Sequence, residues 1–221
     1  MSWLHPNTKA RDGARDHASV SEVLACFKNE KALLLRLALL ITGDETTAGQ
    51  CVVNACDMTV QGHSPFRDWL TEWAKAATIT SAISRCVGAI RGCEAAYKGR
   101  HCTHPEHLSQ VQVDDGEREH ILKVVLGADP GVVIRELDPL SRAVLVLRVA
   151  TRSSIQDCVL RLNVSRAAVV AANCQAMTWL RDLERKELSR RHTASATETP
   201  HSPAGRESDP PETNRTRTLQ Q

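Results

Sequence analysis

LDPLSRAVLVLRVATRSSIQDCVLRLNVSRAAVVAANCQAMTWLRDL, residues 137–183, reads as two short helices followed by a longer one. Within it, SIQDCVLRL (154–162) places Ile155, Cys158, Val159 and Leu162 on one helical face. Asn163 and Val164 then supply a tight turn, and Ser165 caps the next helix. Asn suits that turn because it tolerates a left-handed backbone better than most residues do. From Arg166 to Leu183, Val169, Cys174, Met177, Leu180 and Leu183 recur at roughly helical spacing, which turns one face inward and leaves the other to enter a groove. The pattern is that of a helix-turn-helix, and the partner it predicts is nucleic acid.

Working outward, the chain of 221 residues is long enough for one or two small domains. Strand signals are scarce: aromatic residues make up 3%, and no apolar/polar alternation is sustained. Ala, Leu, Arg and Glu at helical spacing predict an all-α fold. We expect two small helical domains joined by a linker, the second containing the helix-turn-helix. The net charge of +2 is too small to advertise phosphate binding by itself. Its distribution says more, because residues 138–191 hold ten basic side chains against five acidic ones.

Breaks in the pattern give five segments. Residues 1–18 are polar and form a loose arm. Residues 19–97 form the first helical domain: Val20 to Thr42, a turn at Gly43 with Asp44 or Thr46 capping the next helix, Thr46 to Gln61, a Gly-His-Ser-Pro break, and Phe66 to about Ala96. Residues 98–116 are a polar linker. Residues 117–191 form the second domain, and residues 192–221, rich in Pro, Thr, Ser, Arg and Glu, form a disordered tail. The eight cysteines do not form an extracellular disulfide framework, since Cys26, Cys51, Cys56, Cys158 and Cys174 sit in apolar helical patterns. Reduced thiols and a cytoplasmic location are expected, with no secretory leader and no membrane insertion: the longest apolar run, Ala32 to Ile41, is broken by Arg36. His101, Cys102, His104 and His107 crowd the linker, but their spacing matches no compact zinc finger, so no metal is assigned. No phosphate-cradling loop, metal-binding His-Glu helix or nucleophile elbow is present in the sequence, and neither catalysis nor a cofactor is expected.

The order of these elements resembles a bacterial RNA polymerase sigma factor of the compact extracytoplasmic-function type. LLLRLALLITGDETTA (33–48), followed after one more helix by FRDWLTEWAKAA (66–77), is similar to the family's core-binding and promoter-melting domain. Residues 137–183 look like its domain for the upstream promoter element. The two matches cover somewhat over half the chain. The resemblance implies an alternative sigma factor that directs polymerase to promoters and initiates transcription. Its partners would be the RNA polymerase core, promoter DNA and an anti-sigma factor.

Carried over residue by residue, the resemblance assigns promoter melting to Trp69, Trp73, Lys75 and Arg85, the remaining aromatic and basic groups of that helix. The spacing of four puts the tryptophans on one helix face, which favours core or interface packing over base stacking. In the second domain Arg166, Asn173 and Gln175 are the side chains able to read base edges. Ser165 caps the helix and touches phosphate. Arg148, Arg152 and Arg161 either position the duplex through phosphates or are solvated surface charge. Gly49, Gln50, Val53 and Asn54 occupy positions where the family usually carries charge or amide, leaving Asp57 as the carboxylate of that helix. Such losses weaken a charge-complementary contact with polymerase. Two other readings therefore stand beside the first: a diverged helical scaffold for protein interaction, and a stand-alone DNA-binding regulator.

Overall fold

The computed structural model describes residues 16–62, 65–97 and 115–197. Among the described residues the chain is nearly all helical, with nine α-helices and no strand. α1 (Val20–Asn29) opens on a capping box, in which Ser19 Oγ accepts the Glu22 N–H at 3.3 Å and the Glu22 carboxylate accepts the Ser19 N–H at 2.8 Å. The sequence periodicity ran unbroken from Val20 to Thr42, but the structure divides it at Glu30, which follows Asn29, a weak helix former. Glu30 ends one ladder through its N–H to Cys26 and begins the next through its carbonyl to Leu34. α2 (Lys31–Thr42) ends at Gly43 with φ 75°, and Asp44 caps α3 (Glu45–Gln61) by accepting the Thr47 N–H at 2.7 Å.

The end of the expected arm is tied down. Ala18 is buried and donates its N–H to Pro65 at 2.9 Å, while the His17 ring stacks on Phe66 with centroids 4.5 Å apart. Residues 1–15 lie outside the described residues. A 3-10 turn (Arg67–Trp69) leads into α4 (Leu70–Glu94), and a second (Ala95–Tyr97) ends it. Of the expected linker, residues 98–114 lie outside the described residues, and the last two already belong to α5 (Asp115–Gly127). α6 (Pro130–Glu136) and α7 (Pro139–Ala150) each start with an aspartate cap followed by proline, whose missing N–H costs nothing in the first turn. α8 (Ile155–Leu162) and α9 (Arg166–Thr197) complete the order. α9 continues past Arg191, so the first six residues of the expected tail are helical; residues 198–221 lie outside the described residues.

The described residues up to Arg185 form one compact unit. α2, α3 and α4 pack on one another, and α7 packs on α2 and α4. Leu37 and Ile41 of α2, Ile79 of α4, and Leu140, Val144 and Leu147 of α7 belong to one buried hydrophobic cluster. The packing therefore does not divide at residues 98–116. The reason is α7 itself: Leu140 through Leu147 are all buried, and a helix buried on every side needs cover from both halves of the sequence. Arg142 is part of that run, 6% exposed. Its Nη1 donates to the carbonyls of Ile134 at 3.0 Å and Leu137 at 3.3 Å. Its Nη2 lies 3.3 Å from where a Cβ on Gly43 would stand, a second reason for glycine beyond the positive φ.

The described residues Cys26, Cys51, Cys56, Cys86, Cys93 and Cys158 are free thiols. Burial pushes them all up, Cys158 to about 11, which makes them inert packing groups rather than nucleophiles. Cys174 departs from the expectation of reduced thiols, because it is disulfide-bonded. Among the described residues no helix is long and apolar enough to cross a membrane.

Candidate nucleic-acid interface

α8 and α9 are built by local chemistry that the sequence announces. Ser154 and Asp157 form a second capping box, with bonds of 3.0 and 2.8 Å between each side chain and the other's N–H. Those Ser154 bonds, side chain first, hold the Asp157 carboxyl below its ordinary range. α8 ends at Asn163, which takes the left-handed conformation at φ 50° and ψ 52°. Val164 is buried, and Ser165 Oγ accepts the Ala168 N–H at 3.4 Å at the start of α9. Before α8, Arg152 also has a positive φ, 54°.

Around this turn the structure separates the seven expected DNA-contacting residues. Arg152, Arg161, Ser165 and Arg166 are exposed. Arg148 is half-buried, and its Nη1 donates to the Ser153 carbonyl at 3.2 Å, bracing the loop before α8. Asn173 is 1% exposed and belongs to the core. Gln175 is half-buried, with its Oε1 2.8 Å from the Tyr97 hydroxyl. The outward face of α9 carries Arg166, Ala167, Thr178, Arg181 and Arg185, which are exposed, with Val170, Cys174 and Gln175 half-buried between them. Ala168, Val169, Ala171, Ala172, Ala176, Met177, Trp179 and Leu180 are buried together with Asn173. Four alanines with short side chains let neighbours approach from more than one direction, which a hydrophobic stripe alone does not convey.

Sequence reasoning passed over the group that covers this helix. Tyr97, the chain's single tyrosine, is buried, and its hydroxyl bonds to Asp138 Oδ2, to Ser141 Oγ at 2.7 Å and to Gln175. Asp138 also caps α7 by accepting the Leu140 and Ser141 N–H groups at 2.9 and 3.1 Å. A phenol carries one proton, and the carboxylate is the stronger acceptor. The Gln175 amide then serves the network best with its NH2 turned toward the phenol oxygen. Burial, then the Asp138 carboxylate, push the Tyr97 phenol up. Burial also pulls Asp138 upward, but the bonds from Tyr97, Ser141 and Leu140 outweigh it and hold the carboxyl below its ordinary value. One residue turn earlier, Glu94 Oε1 accepts the Ser165 N–H at 2.8 Å, across 71 residues of sequence. The clue available was a lone tyrosine closing a helix, placed at an assumed domain edge and so left without a partner.

Of the residues assigned to promoter melting, Trp69, Trp73 and Arg85 are exposed on α4 and the turn before it, and Lys75 is half-buried. Trp69 lies in the 3-10 turn rather than on the helix and is 72% exposed; Trp73 is 48% exposed. Neither is core packing. Trp73 donates its indole N–H to Thr59 Oγ1 at 3.3 Å and walls a cavity of about 450 Å³ between α3 and α4. Asn54, Met58, Thr80 and Ser84 also line it, and Asn54 donates to Ser81 Oγ at 3.1 Å. Lys75 is ion-paired with Glu72 at 2.7 Å, and Arg85 is exposed. The linker residues His101, Cys102, His104 and His107 lie outside the described residues. Among the described residues, no cluster of three or more His, Cys, Asp or Glu side chains is arranged to hold a metal.

No family model, curated protein or solved structure matches the chain.

Proposed function

We propose that the chain acts as an alternative sigma factor, directing RNA polymerase to promoters through α8 and α9 used as a helix-turn-helix. The observation that carries this reading is the junction at Asn163: two capped helices joined by a left-handed residue, with Arg161 and Arg166 exposed on either side of it. Arg166 and Ser165 stand at a helix N-terminus, where backbone N–H groups and the helix dipole favour phosphate. Arg161 and Arg152 would position the duplex by phosphate contacts, and Trp69, Trp73 and Arg85 would meet the opened strands. The family's regulation by an anti-sigma factor is part of the same proposal, as is a cytoplasmic location.

A second reading, a helical scaffold for protein interaction without promoter activity, is favoured by one observation: Asn173 is in the core and Gln175 is engaged by Tyr97, so two of the three expected base readers are turned inward. Co-purification of the tagged chain with RNA polymerase core, followed by transcription from genomic fragments, separates the two. The sigma reading expects core binding at or below micromolar concentration together with initiation. Stable binding to another protein, with neither core binding nor initiation, would establish the scaffold.

A further inference from the structure

Small side chains open the cleft between α3 and α4. Ala76 and Ala77 stand between its ends, where longer side chains would fill the space, and its volume of about 450 Å³ is within the range of small-molecule sites. The two helices run antiparallel across it, with Trp73 bonded to Thr59 at one end and Asn54 bonded to Ser81 at the other. The ends differ in chemistry. At the first, Trp73 and Met58 are both exposed, and the indole N–H is spent on Thr59, so the pair offers carbon and sulfur surface. At the second, the Thr80 and Ser84 hydroxyls donate within α4 itself, to the carbonyls of Ala76 at 2.8 Å and Thr80 at 2.9 Å. Their protons are committed while their oxygens keep lone pairs, so this end presents hydrogen-bond acceptors. Asn54 adds to the bias: its NH2 is taken by Ser81 at 3.1 Å and by the Met58 sulfur at 3.6 Å, which leaves its carbonyl. Among the described residues no Lys, Arg, Asp or Glu side chain lines the cleft.

We propose that this cleft binds a small, uncharged, elongated molecule with an aromatic ring at one end and a hydrogen-bond donor at the other. The ring lies against Trp73 and Met58, and a hydroxyl or N–H reaches Thr80 and Ser84. Trp73 and Thr80 are two turns apart on α4, about 10 Å along its axis, a span that two fused rings and a hydroxyl fill. A carboxylate or phosphate brought into the cleft would lose water and gain no cation, which argues for a neutral ligand. The same argument separates the ligand from a nucleotide of an opened strand, which carries its phosphate with it. Lys75 and Arg85 flank the lining residues in sequence, but neither lines the cleft, and Lys75 is ion-paired with Glu72. The inference stands on the cleft alone; under the proposed function, a bound molecule and an opened strand compete for Trp73.

The probe is β-naphthol, titrated into the isotope-labelled full chain and followed by NMR at the Trp73 indole N–H resonance, which is assigned by its loss in Trp73→Phe. Two compounds share its rings: β-naphthyl methyl ether has no donor, and β-naphthoate is an anion at neutral pH. Adenosine monophosphate stands for a base carried on a phosphate. We expect β-naphthol to bind with a Kd of about 0.1–1 mM, the affinity that a ligand of its size reaches at ordinary efficiency. The ether should bind roughly three- to tenfold more weakly, the worth of one hydrogen bond, with the naphthoate and the nucleotide weaker still. Thr80→Val should weaken β-naphthol by roughly threefold or more and leave the ether unchanged. Ala77→Leu keeps a good helix former and fills the cleft, and it should abolish binding. No shift at Trp73 with millimolar β-naphthol overturns the proposal, as does a shift that persists in Ala77→Leu, which places the ligand on the outer surface of the ring. An ether that binds as well as the naphthol overturns the donor assignment. A naphthoate that binds as well overturns the neutral ligand, and a nucleotide that binds more tightly makes the cleft a base pocket instead. Where Ala77→Leu alters the spectrum beyond α3 and α4, the ranking of the four compounds on the wild type decides.

Discussion

Asp138 concentrates several roles in one carboxylate: it caps α7, receives the only tyrosine, and links that tyrosine to α9. Its charge is what the surrounding donors are arranged for, and its pKa is held below the ordinary 3.8 despite burial. A carboxyl with a depressed folded pKa adds stability that is fully present above the unfolded value. That stability is lost as pH falls through the folded value. Asp138→Asn is a suitable probe because Asn caps helices almost as well as Asp, so the charge is removed and the cap kept. We expect the variant to be less stable by about 1–2 kcal/mol at neutral pH, the scale of a hydrogen bond to a charged group. The gap between variant and wild type should hold down to about pH 4 and close below it. Denaturant titrations from neutral pH to about pH 2 check this. A gap that stays constant with pH would mean that the carboxyl is not held ionised by these bonds. Glu22, Asp44 and Asp157 are depressed by their own capping bonds, so the comparison must be the difference between the two proteins.

At the scale of the element, α8 is bounded by two residues with positive φ that are not glycine: Arg152 at 54° and Asn163 at 50°. Asn163 was legible in the sequence, since Asn is among the few side chains that take this conformation readily and it follows a run of helical periodicity. Arg152 was not, because nothing in an arginine's chemistry marks a left-handed position. Its presence there reflects the loop's geometry, in which the N–H groups of Thr151 and Ser153 both return to the Leu147 carbonyl. A left-handed residue with a Cβ costs about 1 kcal/mol relative to glycine. Arg152→Gly is therefore expected to stabilise the fold by up to about 1 kcal/mol. If Arg152 contacts phosphate, the same change should weaken DNA binding and lower its salt slope by about 1. Thermal melts and salt-dependent binding on one variant read both effects. A variant that gains stability and keeps its salt slope would return Arg152 to ordinary surface charge. The capping boxes at Ser19 and Ser154 show why element starts were easier to read than element faces. A cap is a local arrangement of three or four residues, whereas the burial of Ala171, Ala172 and Asn173 depends on what lies across the chain.

For the compact unit that ends at Arg185, the all-helical composition and the position of most helices followed from periodicity, but the joining of the two halves did not. The polar stretch at 98–116 suggested a boundary, while the residues that cross it in space, Tyr97 to Asp138 and Glu94 to Ser165, are single polar contacts with no periodic signature. The stronger hint was α7, whose run from Ala143 to Leu147 is too apolar on all sides for a helix covered by one small domain. Arg142 makes this packing specific. It is a buried guanidinium bonded to Ile134 and Leu137 and pressed against Gly43 at the end of α2, where the helix dipole favours a cation. Burial depresses its pKa, yet its ordinary value is so high that it stays charged. Removing it leaves two carbonyls without that donor and a void beside a glycine chosen for close approach. Arg142→Ala should thus cost about 3 kcal/mol or more, within the range for breaking a buried charged contact. Because α2 and α4 share a core with α7, the loss should lower one cooperative transition of the whole unit. Differential scanning calorimetry of the wild type and the variant tests both points. A single wild-type transition whose calorimetric and van't Hoff enthalpies agree, shifted downward intact in the variant, is the expected result. Two transitions in the wild type, only one of them moved by Arg142→Ala, would mean that the halves fold separately and that α7 contributes little to joining them.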